Sequence, residues 1–208
     1  VIAMPRTRRK DARPGEIIAA ALASFAERGY AATKLEDVAV AAGISKATIY
    51  LYFPTKEDLF RAVVRQALLP NLAAAEAEIA GHTGSSADSL RLLAQRFLML
   101  LDSDLTALPK LVLAEAGNFP TIARFYADTV LRQSFALVEG ILRRGIQRGE
   151  FRQLDVPATV PLVAGPFVLL ALWKHSLARH TDLVFEPRAV VLAHIETLLR
   201  GLAAETSK

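Results

Sequence analysis

A chain of 208 residues is long enough to bury a core without covalent staples, and its lack of cysteine excludes disulfides, thiolate metal sites and cysteine nucleophiles. The net charge of +4 sits wholly in the first third: residues 1–65 hold 11 Lys and Arg against 7 Asp and Glu, and the remainder holds 14 of each sign. The apolar opening Val1-Ile2-Ala3-Met4 is far shorter than the apolar region of a signal peptide and precedes the basic run, so a cytoplasmic location is expected.

From the N-terminus, Arg6, Arg8, Arg9, Lys10 and Arg13 form a basic arm opposed only by Asp11. Such a segment neutralises phosphates and releases their counterions, or is simply a solvated tail. Pro14 and Gly29 bracket a first helix whose Ile18, Leu22 and Phe25 share a face. Thr33-Lys34-Leu35-Glu36 reads as a capping box opening a second helix that runs to about Ala42. Gly43 permits a left-handed turn, Ser45 caps a third helix, and Pro54 stops it because the residue before a proline avoids the helical region. Thr55 caps a fourth helix, which begins at Lys56 and is expected to kink or break at Pro70.

Apolar residues continue at spacings of three and four and no stretch alternates with period two, so the fold is predicted to be all-α, of about nine helices. Later helices are expected over about 56–80, 87–103, 106–117, 120–149, 156–180 and 187–204, with Gly81-His82-Thr83-Gly84-Ser85-Ser86 as the clearest loop. Val156 to Trp173 is 18 residues without a charge, close to bilayer-spanning length, but Pro157, Pro161 and Pro166 interrupt it and no membrane partner is expected. A helix apolar all round must be buried all round, so one face is assigned to its own bundle and another to a second copy of the chain. Val191, Ile195, Leu198 and Leu202 form a stripe expected to join that contact, giving a symmetric homodimer through four helices. The natural division falls within the fourth helix, which joins a small basic module to a larger, nearly neutral bundle, with domain bounds expected at residues 1–55 and 56–208.

The third helix carries an odd mixture. With Ile49 at the centre of its buried face and about 100° per residue, Phe53 falls beside it and Ala47 and Leu51 point away. Thr48 and Tyr50 flank the outward face, and Lys46 and Tyr52 sit at its edges. A solvated face is normally charged; this one has a methyl and a leucine ringed by hydroxyls and an amine. The major groove of DNA suits it, offering thymine methyls, base acceptors and flanking phosphates, and the tight turn before it gives helix-turn-helix geometry. A protein-binding or purely structural helical corner is the alternative that the turn alone leaves open.

Thr33 through Phe60, TKLEDVAVAAGISKATIYLYFPTKEDLF, resembles the DNA-binding segment of TetR-type transcriptional regulators, and ALASFAERGY before it is similar to their first helix. The resemblance implies a three-helix DNA-binding domain followed by an effector-binding and dimerisation bundle. It implies that Lys46, Ala47 and Thr48 approach base edges beside Leu51, and that Thr33, Tyr50, Tyr52 and Lys56 hold phosphates of a double-stranded operator. Lys56 also lies at a helix N-terminus, where backbone amides favour an anion. Leu51 departs from the aromatic or charged residue that relatives often carry there, which bears on the operator sequence and not on the fold.

Beyond residue 66 the four histidines, His82, His175, His180 and His194, lack metal-ligand spacing, and neither a Gly-rich phosphate loop nor Gly-x-Ser-x-Gly occurs. No metal, no cofactor and no enzymatic activity are expected. The resemblance implies that the bundle binds a small-molecule effector and that binding lowers operator affinity. Phe97, Leu101, Glu115, Phe119, Tyr126, Phe167 and Trp173, with Phe125 and Phe135 behind them, are candidates for a largely apolar pocket, although each apolar one taken singly reads more readily as core. Glu115, after Leu111-Val112-Leu113-Ala114, is the leading polar candidate ahead of His175 and Gln133, and a surface carboxylate would satisfy the same pattern. The expected function is a dimeric, ligand-responsive repressor on an inverted-repeat operator. The alternatives are an effector-independent regulator or activator, and a helical carrier or enzyme; positive charge concentrated beside the helical corner argues against the last.

Overall fold

The computed structural model describes residues 8–204, with side chains from residue 14 onward. Arg6 lies outside the described residues, and the side chains of Arg8, Arg9, Lys10 and Arg13 outside the described side chains. Helix α1 (Arg8–Ala32) begins earlier than Pro14, which lies inside it. Its Ile17, Ile18, Ala21 and Phe25 are buried. Gly29, at φ 82° and ψ 172°, breaks the helical path, a conformation glycine alone adopts without strain.

The capping box expected at Thr33 does not form. Helix α2 (Leu35–Ala41) starts after Lys34 with no side-chain cap. The Thr33 hydroxyl sits one residue too early and donates backward, to the carbonyls of Gly29 at 2.7 Å and Ser24 at 3.2 Å, closing the end of α1. Glu36 and Asp37 in the first turn of α2 oppose its dipole instead. The turn after α2 is a Schellman motif: Gly43 at φ 64° gives its N–H to Val40 and Ile44 gives its N–H to Ala39. Ser45 caps α3 (Lys46–Tyr52) and Thr55 caps α4 (Lys56–Val63), each accepting a backbone N–H at 3.1 Å.

The α-helical path of α4 is interrupted just before Pro70, without ending the rod. A π turn over Val64–Leu68 joins it to α5 (Leu69–Gly81). The proline ring crowds the carbonyl four residues back and lacks an N–H, and the wider π turn absorbs both defects in one continuous rod. A capping box between Ser85 and Asp88 opens α6 (Ser86–Leu100). A 3₁₀ turn over Asp104–Ala107 leads into α7 (Leu108–Glu115). Helix α8 (Pro120–Tyr126) is joined by a second π turn, Ala127–Leu131, to α9 (Arg132–Gln147), and α10 (Val156–His175) and α11 (Pro187–Leu202) complete the bundle. Among the described residues the two fusions turn eleven α-helical segments into nine rods. Among the described residues the only extended pairing is an isolated bridge between Phe151 and Ala203.

Two buried cores result, and their division does not follow residue 55. The first joins Ile17, Phe25, Val38, Ile49 and Phe60 of the N-terminal helices to Leu108, Leu111, Ile122 and Tyr126 of α7 and α8. The second gathers Leu90, Ile141, Leu142, Val163, Val191 and Ile195 from α6, α9, α10 and α11. The α4–α5 rod contributes Phe60 and Val63 to the first core and Ile79 to the second.

Helix α10 is long and apolar enough to cross a membrane, with a mean hydropathy of 1.9. It is covered on one side only: Val160, Val163, Phe167 and Leu170 are buried, and Leu162 and Leu169 remain 65% and 57% exposed. The α11 stripe is a correction. Val191, Ile195 and Leu202 are buried in the chain's own second core and Leu198 is half-buried, because they face the nearest apolar surface, α10 and α6. The large apolar residue that α11 presents outward is Leu192, 51% exposed.

Candidate functional site

Helix α3 is anchored by Ile49, fully buried, and by Phe53 just beyond its end. Because the helix has only 7 residues, one buried position fixes the direction of all the others. Leu51 is 81% exposed, Lys46, Ala47 and Tyr50 are exposed, and Thr48 and Tyr52 are half-buried. The Thr48 hydroxyl lies 2.8 Å from that of Ser45, so the N-cap also orients a side chain on the outer face. The arrangement presents an apolar centre with polar groups at its rim, as a helix entering a groove requires.

The preceding helix contributes a group that the sequence reading missed. Glu36 Oε1 accepts from Lys46 Nζ at 2.9 Å and from the Tyr50 hydroxyl at 3.0 Å. The Lys46 hydrogen bond first, and the Tyr50 bond with it, hold the Glu36 carboxyl down to about 2, and the same contact raises Lys46. Glu36 and Lys46 are ten positions apart in different helices, so only the turn geometry brings them together.

Two expected phosphate contacts are turned inward. Thr33 is 1% exposed, its hydroxyl engaged at the end of α1. The Lys56 ammonium donates to the carbonyls of Tyr30 at 2.7 Å and Ala31 at 3.0 Å and stands 4.6 Å from the centre of the Tyr30 ring. These carbonyls have no helical partners beyond the break at Gly29, and a cation there offsets their partial negative charge. Burial lowers the Lys56 pKa, with Glu115 opposing that shift.

The expected pocket residues fall into separate neighbourhoods. Phe97 and Phe167 stand together, ring centres 4.9 Å apart, with His194 edge-on to Phe167 at 5.7 Å. Phe119 packs on Tyr30 at 4.9 Å, and Tyr126 is buried in the same first core, where burial pushes its phenol up. Glu115 accepts the Ala31 N–H at 3.1 Å and so tethers α7 to the end of α1. Trp173 packs at a tilt on Phe185, ring centres 4.5 Å apart, near the far end of α10. Leu101 is buried, and its carbonyl accepts from Lys174 and Thr106. Aromatic spacing had no means of telling which of two cores a residue would join.

Open clefts among the described residues include these two. One of about 140 Å³ lies between the end of α1 and α7, lined by Arg28, Tyr30, Lys110, Leu111 and Glu115 among others. The other, of about 250 Å³, lies between α5 and α9, where Gln133 donates to Glu76 at 3.1 Å beside Gly140 and Arg144. His175, the weaker polar candidate, pairs with Thr106 across 2.8 Å. Among the described residues, no three His, Asp or Glu side chains gather as a metal site would need.

The sequence profile of bacterial regulatory proteins of the tetR family matches residues 17–63, and that of the tetracyclin repressor-like C-terminal domain matches residues 80–184. The fatty acid metabolism regulator protein of Bacillus subtilis is 29% identical over 153 residues, 72% of this chain and 77% of that protein. The HTH-type transcriptional repressor KstR2 of Mycobacterium tuberculosis is 30% identical over 148 residues, 70% of this chain and 73% of that one. The crystal structure of the transcriptional regulator FadR from Bacillus subtilis in complex with stearoyl-CoA superimposes with a TM-score of 0.75 at 25% identity, covering 90% of this chain and 98% of that one.

Proposed function

Since the chain belongs to the tetR family of bacterial regulatory proteins, we propose that it acts in the cytoplasm as a homodimer on an inverted-repeat operator, residues 1–55 reading DNA and residues 56–208 binding effector and partner. It is a transcriptional repressor that answers to a small molecule. In our reading Lys46, Ala47 and Thr48 meet base edges, Leu51 packs against a thymine methyl or sugar, and Tyr50 and Tyr52 hold phosphates. The observation that carries this assignment is the outward face of α3, with Leu51 uncovered at its centre.

The partner copy is assigned to the bare strip of α10, Leu162 and Leu169, and to the exposed Leu192 of α11. Such charge-free faces need a cover, and a twofold contact supplies the same strip from each side. The effector is assigned a large apolar part, accommodated by separating Phe97 from Phe167; a relative bound to stearoyl-CoA and another named a ketosteroid regulator support that class. A ligand that favours this opened arrangement shifts the population away from one in which both recognition helices fit one duplex.

Selection of bound sites from random duplex DNA tests the reading. The expected result is an inverted repeat with half-sites about 34 Å apart centre to centre, and altered preference at single base pairs for Lys46→Ala and Thr48→Ala. Identical selected sites for these variants and the wild type would remove Lys46 and Thr48 from base reading.

A further inference from the structure

Glu36 is not part of the recognition helix, yet it holds two of that helix's polar side chains. Its contacts with Lys46 Nζ at 2.9 Å and the Tyr50 hydroxyl at 3.0 Å lie on the exposed surface of the head, and the ammonium also stands 5.9 Å from the centre of the Tyr50 ring. The positive charge that would neutralise a phosphate or meet a guanine acceptor is therefore already neutralised within the protein. Glu36 itself remains ionised at any physiological pH. A carboxylate has acceptors only, so beside a duplex it is repelled by phosphates and by acceptor edges and is satisfied only by an amino group.

We propose that Glu36 is a specificity-determining residue of the DNA-binding surface: it withholds Lys46 and Tyr50 from indiscriminate phosphate contact, and releases them where a cytosine or adenine amino group takes their place on its carboxylate. This rests on the reading of α3 as the groove-entering helix. The device works by repulsion of wrong partners as much as by attraction of the right one. A plainer role, opposing the dipole of α2 and tying α2 to α3, would make Glu36 matter for stability and not for sequence choice.

The test measures binding of the full chain to a selected operator and to an unrelated duplex of equal length, across a range of salt, for wild type, Glu36→Gln, Glu36→Ala and the double variant Glu36→Gln/Lys46→Ala. Glu36→Gln is expected to bind the unrelated duplex about tenfold more tightly, with a salt slope steeper by about one, and to lose a comparable factor in the ratio of operator to unrelated binding. The gain should disappear in the double variant. Glu36→Ala should behave like Glu36→Gln, which keeps the test open if one of them folds poorly. Unchanged or weaker binding of the unrelated duplex by folded variants, or a gain that survives loss of Lys46, would overturn the role of Glu36 alone. A wild-type chain that ignores every duplex would overturn the reading of α3 beneath it, a distinguishable result.

Discussion

The two cores of this molecule look alike in composition and differ in what they connect. The second is closed within the bundle, with α6, α9, α10 and α11 packed around Leu90, Ile141 and Val163. The first crosses from the DNA-binding helices into α7 and α8, so that Phe25 and Tyr30 touch Phe60 at 6.0 Å and 5.7 Å and Phe119 completes the group. A change in the packing of α7 or α8 thus bears on α1 and α4, which share the core that seats the recognition helix. The α4–α5 and α8–α9 rods both run from one core into the other, each through its own π turn.

The sharpest way to break this distinction is to cut one large side chain from each core. Phe60 and Leu142 are both fully buried. Phe60→Ala should cost about 3–5 kcal/mol and Leu142→Ala about 2–5 kcal/mol in denaturant unfolding. Only Phe60→Ala should also weaken operator binding by protein that is still folded, because it loosens the support of α1 and α3. Equal losses of operator affinity in the two folded variants would erase the functional meaning of the division.

A smaller effect separates the clasp at the end of α1 from the DNA surface. Lys56 and Glu115 hold opposite groups of the Tyr30-Ala31 backbone, the ammonium on two carbonyls and the carboxylate on one N–H. Lys56→Met should destabilise the chain by about 1–2 kcal/mol and leave the salt slope of operator binding unchanged, since the ammonium faces inward. A slope shallower by about one would return Lys56 to the phosphate contacts.

The contrast also shows what a sequence can disclose. The outward face of α3 was legible because one buried residue, Ile49, and the helical period place its neighbours, and the caps at Ser45 and Thr55 are local. Thr33 and Lys56 were not legible in the same way: the groups they satisfy were created by the break at Gly29, and for Lys56 that partner lies 26 residues away. For α11, period three-and-four showed a stripe but not which surface would cover it. The missed Glu36 belongs with these, since its partners are set by the tightness of the Gly43 turn.

The mildest test concerns the polar stitch between the cores. His175, at the end of α10, meets Thr106 at 2.8 Å, and Thr106 lies in the 3₁₀ turn that leads into α7. Burial first, and then Lys174, lower the His175 pKa below its ordinary 6.5, while Asp104 opposes the shift and Lys110 and Arg179 add to it. The unfolded chain therefore binds more protons than the folded one between the two values, and stability rises with pH through that window. The contribution is complete above about pH 6.5 and is lost as pH falls through the folded value. Weakened by solvent screening, it should appear as a lower unfolding midpoint at the acid end of that window. His175→Gln should flatten this slope while leaving the rest of the pH profile in place. An unchanged slope in that variant would mean that the seam between α10 and the 3₁₀ turn carries no proton-linked stability.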